Sequence, residues 1–259
     1  MTELIAKISR GTHMDQIYLS KNRAPGLETG SYVLIEPIQR KKAMSLYWYK
    51  VKKIEPIKIP VVEKIFGYLA EAKNVIITGS FLEKGFRFND IDVIIIDGNK
   101  GEVEQVIHDE FGLRAHVIRL TSAALRKGMN TDPLFQLMLS KFIAKKRIFF
   151  RTQNEYNYKL LDLHLLKSKG LMDNFDDLGG SEKYKLVRNL FAIRRFLDKK
   201  PISKESVEKD IEHALGKDSA LELLENRVKK EHISSTWEKV YRETFEKIME
   251  GIQHGAEQE

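Results

Sequence analysis

An α+β protein is what this sequence predicts, and three observations predict it. Short alternating segments separated by turn residues occupy the first 55 positions. Strand-like and helix-like stretches then interleave over 60–150, and from 151 to 259 every periodic stretch has helical spacing. The implied order is a small β module (1–55), an α/β core (60–150) and a helical C-terminal region (151–259). With 259 residues, 42% of them hydrophobic, the chain can bury a real core.

In the first module "DQIYLS", "SYVLIEPI" and "MSLYWYKVKKI" alternate apolar and polar residues, with "APGLETG" as the first turn. Pro56 and Pro60 mark a linker. "VVEKIFGYLAEA" has apolar residues at helical spacing, and "KNVIITG" follows as a strand. "DIDVIIID" is a second strand, "GEVEQVIHDEFG" an amphipathic helix stopped by glycine, and "LRAHVIRL" a third strand. "TSAALRKG" opens a helix capped at Thr121 or Ser122, and "DPLFQLMLSKFIAKKRIFF" reads as a helix running into a short strand. Five amphipathic stretches make up the tail, broken at Gly179–Gly180 and Pro201.

There is no cysteine, which removes disulfides, thiolate metal sites and a cysteine nucleophile. No apolar run approaches bilayer length and the N-terminus lacks the apolar core of a signal peptide, so a cytoplasmic location without a membrane partner is expected. The charge is unevenly spread: +6 over residues 1–60, +2 over 61–150 and −1 over the rest. That excess suits a polyanion partner for the N-terminal module, or simply a lysine-rich solvated surface.

The chemistry concentrates in "ITGSFLEKGFRFNDIDVIIID". On a strand, Asp90 and Asp92 point to one face, about 6–7 Å apart along the backbone, and can converge on a cation. Buried carboxylates need such a partner. Hard divalent ions such as Mg²⁺ take oxygen ligands and share them with substrate phosphates. Upstream, Gly79 lets a phosphate approach the backbone, and Ser80 can donate from its hydroxyl and its N–H, the more so if a helix follows.

Gly-Ser after a strand, a loop, then Asp-x-Asp on an apolar strand resembles the nucleotidyltransferase superfamily typified by DNA polymerase beta and the minimal antitoxin-like nucleotidyltransferases. The match covers residues 60–150. It implies a mixed sheet flanked by helices, with an NTP held at Gly79 and Ser80 and Mg²⁺ (or Mn²⁺) held by Asp90 and Asp92. An acceptor hydroxyl on RNA, protein or a small molecule would attack the α-phosphate and release pyrophosphate. Lys84 and Arg87, between the motif halves, are either cationic contacts to those phosphates or ordinary surface residues. Active members carry a third carboxylate on the next core strand, and "LRAHVIRL" offers none. Alternation places Arg114, His116 and Ile118 on one face. His116 is thus the nearest polar substitute as ligand or proton acceptor, or else a structural histidine.

"DQIYLSKNRAPGLETGSYVLIEPI" resembles the AbrB-type regulators, small swapped-hairpin modules that dimerise and bind DNA, with Ser20 and Ser31 departing from the usual proline and aspartate. That resemblance implies a homodimer and makes Arg10, Lys21 and Arg23 phosphate contacts. Arg40, Lys41 and Lys42 extend the basic run beside the aromatics Tyr47, Trp48 and Tyr49, a pattern suited to single-stranded RNA or DNA, or to a strand packed on the core. In the tail, Lys185, Arg188 and Arg195 fall near one helical stripe that either faces the cleft or is solvated. Two functions therefore compete: an Mg²⁺-dependent nucleotidyltransferase, and a catalytically silent DNA-binding regulator or antitoxin-like protein on the same fold.

Overall fold

The computed structural model describes residue 6 and residues 8–22, 25–33, 45–86, 88–98, 101–149 and 153–256. It divides into two compact units, Met1–Ala43 and Met44–Glu259. The described part of the first unit holds an antiparallel pair, β1 (Ile8–Ser9) and β2 (Gln16–Ile17). Most of "SYVLIEPI" lies outside the described residues.

The second unit is built on a five-stranded mixed sheet. Its strands are β3 (Tyr47–Tyr49), β4 (Asn74–Thr78), β5 (Asp90–Ile96), β6 (Arg114–Leu120) and β7 (Phe142–Ala144). They lie in the order β3-β7-β4-β5-β6, with β5 and β6 parallel and every other neighbouring pair antiparallel. Tyr47–Tyr49, expected in the N-terminal module, is therefore an edge strand of this sheet. The Tyr49 ring stacks on Phe142 at 4.9 Å, which ties the aromatic run to core packing.

Period-two alternation assigns the two faces. Ile91, Val93 and Ile95 pack with α1 (Lys58–Tyr68) and α2 (Val103–Phe111), whereas Ile94 and Ile96 pack with α3 (Ser122–Thr131). Burial on both faces explains the unbroken Val-Ile run of the central strand, where each fully buried side chain contributes about 1.5–3 kcal/mol.

Helix boundaries follow local chemistry. α1 starts three residues earlier than its apolar pattern suggests and includes Pro60 in its first turn. Proline is tolerated there because an N–H in the first turn has no intrahelical acceptor. Gly112 ends α2 in the left-handed region (φ 63°), and the Thr121 side chain caps α3 by accepting from Ala124 N–H. The stretch after Asp132 is a shorter helix than expected, α4 (Pro133–Met138).

The helical region comprises α5 (Tyr158–Asp173), α6 (Gly180–Leu197), α7 (Lys204–Leu215), α8 (Ser219–Leu224) and α9 (Lys230–Ala256). Its core includes Leu161, Leu165, Leu190, Phe196 and Trp237, and Leu137 of α4 joins it to the sheet unit. Among the described residues no helix is long and apolar enough to cross a membrane.

Candidate metal and nucleotide site

β4 delivers Gly79 and β5 delivers the two aspartates because the strands pair antiparallel with Thr78 opposite Asp92. The chain leaves β4 through Gly79 at φ 82° and ψ −161°, a combination open essentially to glycine alone. A Cβ on Gly79 would lie 2.0 Å from Asp92 Oδ2, so the missing side chain also makes room for that carboxylate. Ser80 follows, exposed, in a single 3₁₀ turn (Ser80–Leu82). No longer helix begins there, so the helix-terminus contribution anticipated at Ser80 has no counterpart.

Asp90 and Asp92 do share a face, the α3 side of the sheet, and both are half-buried at the start of β5. Their parallel-strand partners are Arg114 and His116. His116 Nδ1 lies 3.2 Å from Asp92 Oδ1, with the histidine side chain 62% exposed and the aspartate 24%. Burial pushes the Asp92 pKa up; the His116 hydrogen bond opposes this, the Asp90 charge adds to it, and His116 and Lys185 charges pull it down. The charge of Lys185, from α6, thus acts on Asp92 across the tertiary fold.

The expected tail stripe divides in space. Arg188 lies over the Tyr184 ring at 5.8 Å, with its Nε buried and without a hydrogen-bond partner among the described residues. Tyr184 donates its hydroxyl to Glu208 Oε1 at 2.6 Å. Arg195 instead pairs with Asp210 at 2.7 Å and donates to the Pro201 carbonyl, a structural role.

An anchor beneath the connecting loop escaped the motif reading. Lys58 is only 2% exposed, and its Nζ donates to the carbonyls of Glu83 and Gly85, both at 2.7 Å. It also pairs with Glu55 at 2.7 Å and sits 5.2–5.5 Å from the Phe81, Phe86 and Phe88 ring centroids. Glu55 accepts from Gly85 N–H in turn, and its pKa is held at about 2, chiefly by Lys58. Helical spacing carried the signal, because Lys58 stands four and eight residues before Val62 and Phe66 on the buried face of α1. From the other side Glu83 pairs with Lys141 (3.3 Å) and with Lys204 of α7 (3.4 Å).

Lys84 is exposed and forms no ion pair with a described residue. Arg87 lies outside the described residues, as do Arg23, Arg40, Lys41 and Lys42; Arg10 and Lys21 are exposed in the first unit. Asp97 sits at the far end of β5, where it accepts from Ser122 N–H at 3.0 Å and pairs with Lys73 at 3.1 Å.

Among the described residues no group of three or more His, Asp and Glu side chains could hold a metal ion. Two carboxylates on one face still fit a hard cation that completes its shell with substrate phosphate and water, as Mg²⁺ does. No family model, curated protein or solved structure matches the chain.

Proposed function

We propose that the second unit binds an NTP with Mg²⁺ or Mn²⁺ at Asp90 and Asp92 and transfers its nucleoside monophosphate to a hydroxyl acceptor, releasing pyrophosphate. The observation that carries this reading is the close approach of Gly79 and Asp92: a glycine-only backbone conformation spent where a carboxylate needs the space. The sheet supports it in a coarser way, being mixed and flanked by helices as the motif resemblance implies.

When bound, the metal would neutralise phosphate charge and lower the cost of the charge that develops during transfer. The chain's own residues supply the rest. Asp90 and Asp92 would be the protein ligands, and the turn of half-buried Gly79 and exposed Ser80 would receive the terminal phosphates. Lys185 would add a positive charge across the cleft. With Asp92 ionised, a proton on His116 Nδ1 is donated to it, leaving Nε2 as the acceptor for the proton of the attacking hydroxyl. For the first unit we keep nucleic-acid contact through Arg10 and Lys21 as a separate proposal, with pairing of two chains through that module.

A second reading has its own observation. β6 (Arg114–Leu120) carries no carboxylate, which favours a catalytically silent core in a DNA-binding regulator or antitoxin-like protein. One experiment separates the two. Purified full-length protein is incubated with labelled NTPs, Mg²⁺ or Mn²⁺, and RNA, protein or small-molecule acceptors, alongside Asp90→Asn/Asp92→Asn. Transfer by the wild type alone supports the enzyme; metal-dependent binding of a fluorescent NTP without transfer supports the silent core; neither result leaves both readings without support.

A further inference from the structure

We propose that a cavity at the opposite end of the sheet from the aspartates binds single-stranded nucleic acid. This inference does not rest on the metal site. The cavity has a volume of about 610 Å³. It lies where β4 begins and β5 and β6 end, with Ile96 and Asn74 in its wall. Six residues of strand separate Ile96 from Asp90, about 20 Å at the usual rise.

Its lining has two characters. Lys73, Arg126, Lys146 and Arg147 supply four cations, and among the described residues no carboxylate lines it. Lys73 is occupied by Asp97, but Arg126, Lys146 and Arg147 are exposed and form no ion pair with a described residue. A cluster of unneutralised cations costs self-repulsion that a polyanion would relieve. The other character is apolar. Leu125, Met129 and Ile148 form the floor, and Phe149 stands at the rim with 79% of its surface exposed. The Arg147 guanidinium lies 4.5 Å from the Phe149 ring centroid, so ring and cation form one platform.

Phosphate alone would explain the cations but not an exposed phenyl ring. A duplex would satisfy the cations while keeping its base faces stacked away from the ring. Unpaired bases meet both demands, with faces to stack on Phe149 and phosphates to pair with Arg126, Lys146 and Arg147. An acidic protein segment could use the charges, but it would gain little from base-like stacking.

The test uses the full-length chain and fluorescence anisotropy of a labelled single-stranded oligonucleotide of about 15 nucleotides. Competitors are a hairpin duplex and polyglutamate. Phe149→Ala is expected to weaken single-strand binding at least about fivefold while leaving polyglutamate competition unchanged. Arg126→Ala/Arg147→Ala is expected to weaken it at least about tenfold and to reduce the log–log salt slope by about 1.4, for two phosphate contacts at about 0.7 each. The three cavity side chains substituted are exposed, and unchanged thermal unfolding would show that the variants fold; Arg10→Ala/Lys21→Ala reports on the first unit. The proposal is overturned by wild-type protein that does not bind, by cavity variants that bind as wild type, or by loss confined to Arg10→Ala/Lys21→Ala. Equal losses for oligonucleotide and polyglutamate on Phe149→Ala would overturn it in favour of an acidic protein partner.

Discussion

Gly79→Ala isolates the most constrained point of the candidate site. Two separable costs arise. The backbone conformation, φ 82° and ψ −161°, is strained for any residue with a Cβ, at about 1–3 kcal/mol. The new methyl carbon would also start 2.0 Å from Asp92 Oδ2, and forcing such a contact apart adds about 1–3 kcal/mol. Together these predict a loss of about 2–6 kcal/mol, a large part of the about 5–15 kcal/mol that holds a typical domain. Urea denaturation followed by circular dichroism measures it. A double-mutant cycle with Asp92→Ala then divides the two costs, because removing the carboxylate relieves the clash and leaves the backbone strain. The cycle should show a coupling of about 1–3 kcal/mol. A Gly79→Ala cost under about 0.5 kcal/mol, or strict additivity with Asp92→Ala, would refute the argued geometry.

Lys58→Met should destabilise the second unit by about 1–3 kcal/mol for each of the two carbonyls left without its donor, and should increase hydrogen exchange in residues 83–86; unchanged exchange there would count against the anchoring role. Asp97, whose pKa is lowered to about 2 by Ser122 and Lys73, contributes stability that is complete above its ordinary 3.8 and fades as pH falls towards 2. Asp97→Asn should therefore be less stable than wild type at pH 7 and converge with it near pH 2, as read from acid unfolding curves. Asp92 has the opposite sign: its pKa is raised, so its ionisation weakens the fold as pH climbs through that raised value. Asp92→Asn should flatten that decline and be at least as stable as wild type at pH 7. Mn²⁺ at about ten times its Kd should stabilise wild type by about 1.4 kcal/mol in thermal shift and leave Asp90→Asn/Asp92→Asn unmoved.

Much of this architecture was legible because hydrophobic period reports secondary structure directly. The strands at Asn74–Thr78 and Asp90–Ile96 follow from short unbroken apolar runs, that at Arg114–Leu120 from alternation, and the cap at Thr121 from capping chemistry. Asp90 and Asp92 could be assigned one face because strand parity is a local property. Pairing between distant segments is not local. Nothing in "SLYWYK" says that it borders Phe142–Ala144, so its placement outside the first unit emerged only from the sheet.

By itself the sequence determined most element types and the shared face of the two aspartates. Only the tertiary structure decided the remote neighbours: His116 against Asp92, the Lys185 charge acting on Asp92, Lys58 beneath the loop, and, at the other end of the sheet, Arg126 and Phe149 lining one cavity. The physical reason is range. Backbone preferences and side-chain period act over a few residues, whereas burial, charge pairing and close approach depend on which remote segments the packed core brings together.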